Sequence, residues 1–173
     1  VIGKVYTMPP QPPVAENTQW FDGGVLTIGV EYRNVDPGNL QATYVGTEFE
    51  AELFERWPEG GFVDEGVSIH VCDAADGHEF LRFDVFDADP HYHYVHRLPP
   101  GCEPVNNVID FDVAAHGEML PWVIDRLRTR LPQMLAAAGA STLVDRVDAA
   151  GLSAVIDDVA GVAEQAQQRL RRS

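Results

Sequence analysis

The sequence predicts an α+β fold: an antiparallel sheet of five or six strands with one face covered by a helix, followed by a C-terminal helical extension. Three observations carry that reading. Between Val25 and Val113 apolar and polar residues alternate with period two, the mark of a half-buried strand. Clusters of turn residues separate the alternating runs. After Gly117 the apolar spacing changes to three and four, the mark of one helix face.

Each element follows from its own residues. Leu26, Ile28, Val30 and Tyr32 alternate with Thr27, Gly29, Glu31 and Arg33, and Val67, Ile69 and Val71 with Ser68, His70 and Cys72. Leu81, Phe83 and Val85 alternate with Arg82 and Asp84, and Ile109, Phe111 and Val113 with Asp110 and Asp112. Tyr92 and Tyr94 share one side of a further strand, with His91 and His93 on the other. Phe49, Ala51 and Leu53 alternate with Glu48, Glu50 and Glu52, which reads as an edge strand carrying a ladder of three like charges. Asp36-Pro37-Gly38-Asn39, Pro58-Glu59-Gly60-Gly61, Asp76-Gly77 and Pro99-Pro100-Gly101 supply the turns.

The covering helix starts near Glu118 and uses Leu120, Val123, Ile124, Leu127 and Leu131. Pro132 must interrupt it, because proline lacks the donor and clashes with the preceding turn, and Gly139 is suited to its end. A second stripe, Leu152, Val155, Val159, Val162 and Ala166, continues to Leu170. Before the sheet, Met8-Pro9-Pro10-Gln11-Pro12-Pro13 can be neither helix nor central strand and reads as an extended polyproline segment. The resulting division is an N-terminal arm over 1–24, an acidic α+β domain over 25–139 and a helical extension over 140–173, available for oligomerisation.

Composition narrows the function. The chain has 173 residues, 45% of them hydrophobic, and a net charge of −15, so it can bury a real core. Residues 1–120 carry 5 basic and 21 acidic side chains. That balance repels a polyanion, so no nucleic-acid partner is expected. No apolar run approaches the ~20 residues of a membrane span. The first residues lack the features of a signal peptide, which points to a cytoplasmic location with Cys72 and Cys102 reduced. Nucleotide-binding, serine-hydrolase and dithiol motifs are absent from the sequence.

The sharpest chemical feature is Asp87-Ala88-Asp89-Pro90-His91-Tyr92-His93-Tyr94-Val95-His96, which holds three of the six histidines. Imidazole and carboxylate are the ligands that borderline divalent ions such as Zn, Fe, Ni and Mn use. In a strand, His91 and His93 point the same way and can chelate from one face. His96, Asp89 and Asp87 are the further candidates, as ligands or as acceptors that orient a ring. His70 and Cys72 join them only if their strand is the neighbour. The aromatics Trp20, Phe21, Trp57, Phe62 and Trp122 serve a core or line a pocket.

Two functions fit these residues. One is a non-catalytic accessory or scaffold subunit that self-associates through its C-terminal helix and presents an acidic sheet domain to a larger protein partner; the charge asymmetry favours it. The other is a metalloprotein, and through it a metal-dependent enzyme, with one divalent transition metal held by His91, His93 and His96 or Asp89.

Overall fold

The computed structural model describes residues 3–102 and 105–172. The first two residues of the expected arm and the last of the C-terminal extension therefore lie outside the described residues. The chain runs through strands β1 (Lys4–Tyr6), β2 (Thr18–Asp22) and β3 (Leu26–Val35), then helices α1 (Pro37–Tyr44) and α2 (Glu50–Glu55). Strands β4 (Asp64–Asp73), β5 (Glu79–Phe86), β6 (His91–His96) and β7 (Val105–Asp110) follow. Helices α3 (Val113–His116), α4 (Met119–Thr129), α5 (Leu131–Ala137), α6 (Ser141–Val144) and α7 (Ala149–Leu170) complete the chain. The strands form one antiparallel sheet in the order β1-β7-β6-β5-β4-β3-β2. The fold is α+β, as its patterning predicts. Among the described residues the sheet has seven strands rather than five or six.

The difference lies at both edges and in two misread runs, one of them 109–113, where β7 ends at Asp110 and Val113 instead opens α3 beneath the Asp112 cap. Lys4–Tyr6 and Thr18–Asp22 are too short or too polar to show a period of their own, and they exist because an exposed edge accepts them. Residues 48–53, expected as an edge strand, run instead into helix α2, with Leu53 buried and Glu50 in the first turn beside the positive helix end. Six residues hold too few positions to separate period two from a short helix. Glu52 is consequently no member of a charge ladder. Its carboxylate accepts the backbone N–H of Thr7 at 3.1 Å, that of Met8 at 2.7 Å and the Thr7 hydroxyl at 2.6 Å.

One face of the sheet is apolar. Leu26, Ile28, Ile69, Val71, Leu81 and Phe83 are fully buried there beneath α4, α5 and α7. Helix α4 ends at Thr129, and Pro132 opens α5 within its first two positions, where no amide hydrogen is needed. Gly139 ends α5 at φ +85°, a conformation that other residues reach only with strain. The stripe of α7 buries Leu152, Ile156, Val159, Ala160 and Ala163, and the helix contacts β2, β3, β4 and α4. Among the described residues, no helix is long and apolar enough to cross a membrane.

The opposite face is polar and also buried, because a strap covers it. β1 and β2 lie at opposite edges, so the chain between Tyr6 and Thr18 must cross the whole sheet. Six strand spacings make that crossing roughly 29 Å. Twelve residue steps reach about 37 Å as polyproline but only about 18 Å as α-helix. The gap therefore requires an extended backbone, which the prolines impose by fixing φ and excluding helix. The carbonyl groups of the strap are bonded by side chains from below: Met8 by Asn106, Pro9 by Tyr44, and Gln11 by both Arg33 and Arg82.

Candidate metal site

Polar residues on the covered face come from adjacent strands in register. Antiparallel pairing of β5 with β6 sets Asp84 opposite His91 and Arg82 opposite His93. Pairing of β6 with β7 sets the neighbouring register of Asn106. Asp84, His91 and His93 stand close enough to coordinate a metal ion, their ligand atoms all within 4.8 Å of one another. Oδ2 of Asp84 lies 3.0 Å from Nε2 of His93 and 3.3 Å from Nε2 of His91. The Ser68 hydroxyl donates to Oδ1 of the same carboxylate. Asp84 and His93 are buried and His91 is half-buried.

The far side of each ring is also engaged. Nδ1 of His91 donates to the carbonyl of Asp89 at 2.6 Å. Nδ1 of His93 donates to Oδ1 of Asn106 at 2.9 Å, and Asn106 is held in that orientation because its Nδ2 donates to the Met8 carbonyl. Burial alone would raise the pKa of Asp84, but the contacts with His91 and His93 outweigh it and hold the carboxyl well below its usual range. Burial would lower that of His91, yet the bond to Asp84 raises it. For His93 burial wins, and its pKa is lowered.

The expected site residues thus separate. His91 and His93 share one site. His96 points away, and its Nε2 accepts from Nδ2 of Asn107. Asp89 contributes its main-chain carbonyl to His91, while its backbone N–H donates to Asp64. Asp87 is exposed. β5 lies between the strands of His70 and His93, so His70 and Cys72 do not join the cluster. Cys72 is buried, and burial pushes its thiol up to about 12, far from the range of a thiolate nucleophile.

Sequence reasoning missed Asp84, although its signal was present. The residues between β5 and β6 contain Asp87-Ala88-Asp89-Pro90, a turn sequence, and folding a hairpin about it brings Asp84 against His91.

A second buried group lies on the same face. His70 bonds Glu31 through Nε2 at 2.9 Å and Glu79 through Nδ1 at 2.6 Å. Arg33 pairs with Glu31, and Arg82 takes Glu79 through Nε and Nη2. Glu79 reaches this face because a bulge follows Val71: Leu81 pairs with Val71 and Glu79 with Cys72, leaving Phe80 as the extra residue. Between the sheet, the strap and α1 lies a cavity of about 220 Å³, whose lining includes Asp84, His91, His93 and Arg82.

No curated protein and no solved structure matches the chain. A family model does, over residues 20–163, a span that contains Asp84, His91, His93 and Asn106 and begins after the strap. The chain belongs to that family, described as Domain of unknown function (DUF7700).

Proposed function

We propose that the protein is a metal-dependent enzyme whose single divalent transition ion is held by Oδ2 of Asp84 and the Nε2 atoms of His91 and His93. The supporting observation is the direction of the ring protons. The Asp89 carbonyl and Oδ1 of Asn106 only accept, so each ring spends its Nδ1 proton away from Asp84. In a neutral ring the Nε2 lone pair then faces a carboxylate oxygen. Three acceptors meeting in a buried place repel one another unless positive charge lies between them. Both rings stand on one carboxylate oxygen, so a single divalent ion between them meets that need for all three groups at once.

Distance supports a cation. Two ligands about 2.0–2.2 Å from one ion and roughly 90–110° apart stand about 3–3.4 Å from each other. The two separations at Oδ2 are 3.0 and 3.3 Å. Two imidazoles and one carboxylate leave further positions open, which suits catalysis, whereas structural sites are closed. The ion would supply Lewis acidity or lower the pKa of a bound water. The chain's own residues hold it: Ser68 orients the carboxylate, and Asp89 and Asn106 fix the rings. The accessory-subunit reading rests on no comparable convergence of groups.

Calorimetric titration with Zn, Fe(II), Ni and Mn tests the proposal. One equivalent of at least one ion is expected to bind the native chain. His91→Ala and Asp84→Asn should each abolish stoichiometric binding while the circular dichroism spectrum is preserved. Absence of binding for all four ions, or full binding in both variants, would overturn it.

A further inference from the structure

We infer that the cavity beside Asp84, His91 and His93 takes a small organic carboxylate, anchored on Nη1 of Arg82. The inference rests on the metal reading for its charge balance and on independent geometry for its anchor. Arg82 is 3% exposed at the side chain, yet only part of its donor set is used. Nε and Nη2 bond Glu79, and Nη2 also bonds the Gln11 carbonyl. Among the described residues Nη1 has no hydrogen-bond partner and is not wholly sealed by protein atoms. The open space that Arg82 lines is this cavity. A buried guanidinium with a free N–H is a strong site for an anionic oxygen, because such charge-assisted bonds gain from the low dielectric around them.

Position makes that donor useful. Arg82 is the cross-strand partner of His93 and lies two residues from Asp84 on the same face. An anion held there is delivered beside the ion's open positions. Its sign follows from the anchor, a cationic N–H donor, and from the charge of a bound divalent ion beside it; the remaining lining charges are matched, Lys4 by Asp110 and Arg33 by Glu31. Its class follows from donor number and size. One free guanidinium nitrogen suits a carboxylate, whereas a phosphate calls for several donors. Pro9, Leu40, Tyr44 and Phe62 supply apolar walls for a hydrocarbon body. A volume of about 220 Å³ is below the ~300–1,000 Å³ of sites for drug-sized ligands, which selects a small acid.

The test uses the full chain with and without one equivalent of zinc, titrated calorimetrically with benzoate, with benzamide as its neutral counterpart and with inorganic phosphate. Benzoate should bind the zinc-loaded protein at least tenfold more tightly than benzamide or phosphate. Arg82→Lys, which keeps a charge for Glu79 but removes Nη1, should weaken benzoate at least tenfold with zinc affinity changed less than threefold. Leu40→Trp, which fills the cavity from α1, should block benzoate and leave zinc binding intact, so the result does not depend on Arg82→Lys folding. Zinc binding without any preference for benzoate over benzamide overturns the anion site and spares the metal reading. Preference for benzoate in a protein that binds none of Zn, Fe(II), Ni and Mn overturns the metal reading and spares the anion site. Phosphate binding as tightly as benzoate overturns the carboxylate assignment.

Discussion

Two histidine sites lie on one face of one sheet, and they are built in opposite ways. His70 spends both ring nitrogens on carboxylates, Glu31 and Glu79, each of which is also paired with an arginine. That site is closed to a cation: both nitrogens of His70 are spent on carboxylates, and its ring has no lone pair left to offer. His91 and His93 spend only Nδ1, on neutral carbonyl oxygens, and turn Nε2 toward one carboxylate. The residue types are nearly the same in both places. What separates an ion-pair network from a set of ligands is where the second nitrogen goes and whether its partner carries charge.

Three experiments bear on that contrast, the largest effect first. Glu31→Ala leaves the His70 imidazolium and Arg33 buried without their shared anion. Breaking a buried pair in this way costs about 3–5 kcal/mol, to be measured by urea unfolding. Zinc stoichiometry should stay at its native value, because Glu31 touches none of the three ligands; loss of zinc in a protein of native stability would erase the distinction between the sites.

The second experiment is a pH series. Burial would raise the pKa of Glu79, but the charge of Arg82 and the bond to His70 bring it from 4.5 to about 2. A depressed carboxyl contributes stability above its unfolded value, and that contribution is lost as pH falls through the folded one. Burial would lower the pKa of His70, but the bonds to Glu31 and Glu79 raise it from 6.5. Its contribution is complete below the unfolded value and is lost as pH rises through the folded one. Both are therefore fully present between roughly pH 4.5 and 6.5. Melting temperatures from pH 2 to 9 should show an acid limb between about 4.5 and 2, flattened in Glu79→Gln. An unchanged acid limb in that variant would remove Glu79 as its source.

The third and smallest effect concerns Asn106, which joins His93 to the strap. Asn106→Ala should weaken zinc about 10–100-fold, the usual cost of losing an outer partner of a metal-bound histidine. The closed site offers a control: the same variant should leave the acid limb of the pH series in place. Native zinc affinity would mean that the ring of His93 is oriented without Asn106.

Much of the architecture was legible because patterning reports burial directly. The alternation in 26–33, 67–72 and 81–85 and the helical spacing in 120–131 each describe one side of an element against one core, as does the break at Pro132. Edge strands β1 and β2 were not legible, since pairing at an edge needs no pattern. Residues 48–53 were misread because six alternating residues fit either a strand or a short helix. At the site, His91 and His93 were legible from their i, i+2 spacing. His96 fell on the wrong side by the same rule.

The sequence by itself determined the α+β class, the apolar face, the extended prolines and the paired histidines, because each depends on residues close in the chain. Only the tertiary structure decided that Asp84 completes the cluster, that β5 separates His70 from it and that the strap crosses the polar face and covers it. Register and strand order join residues far apart in sequence, and no local period encodes them.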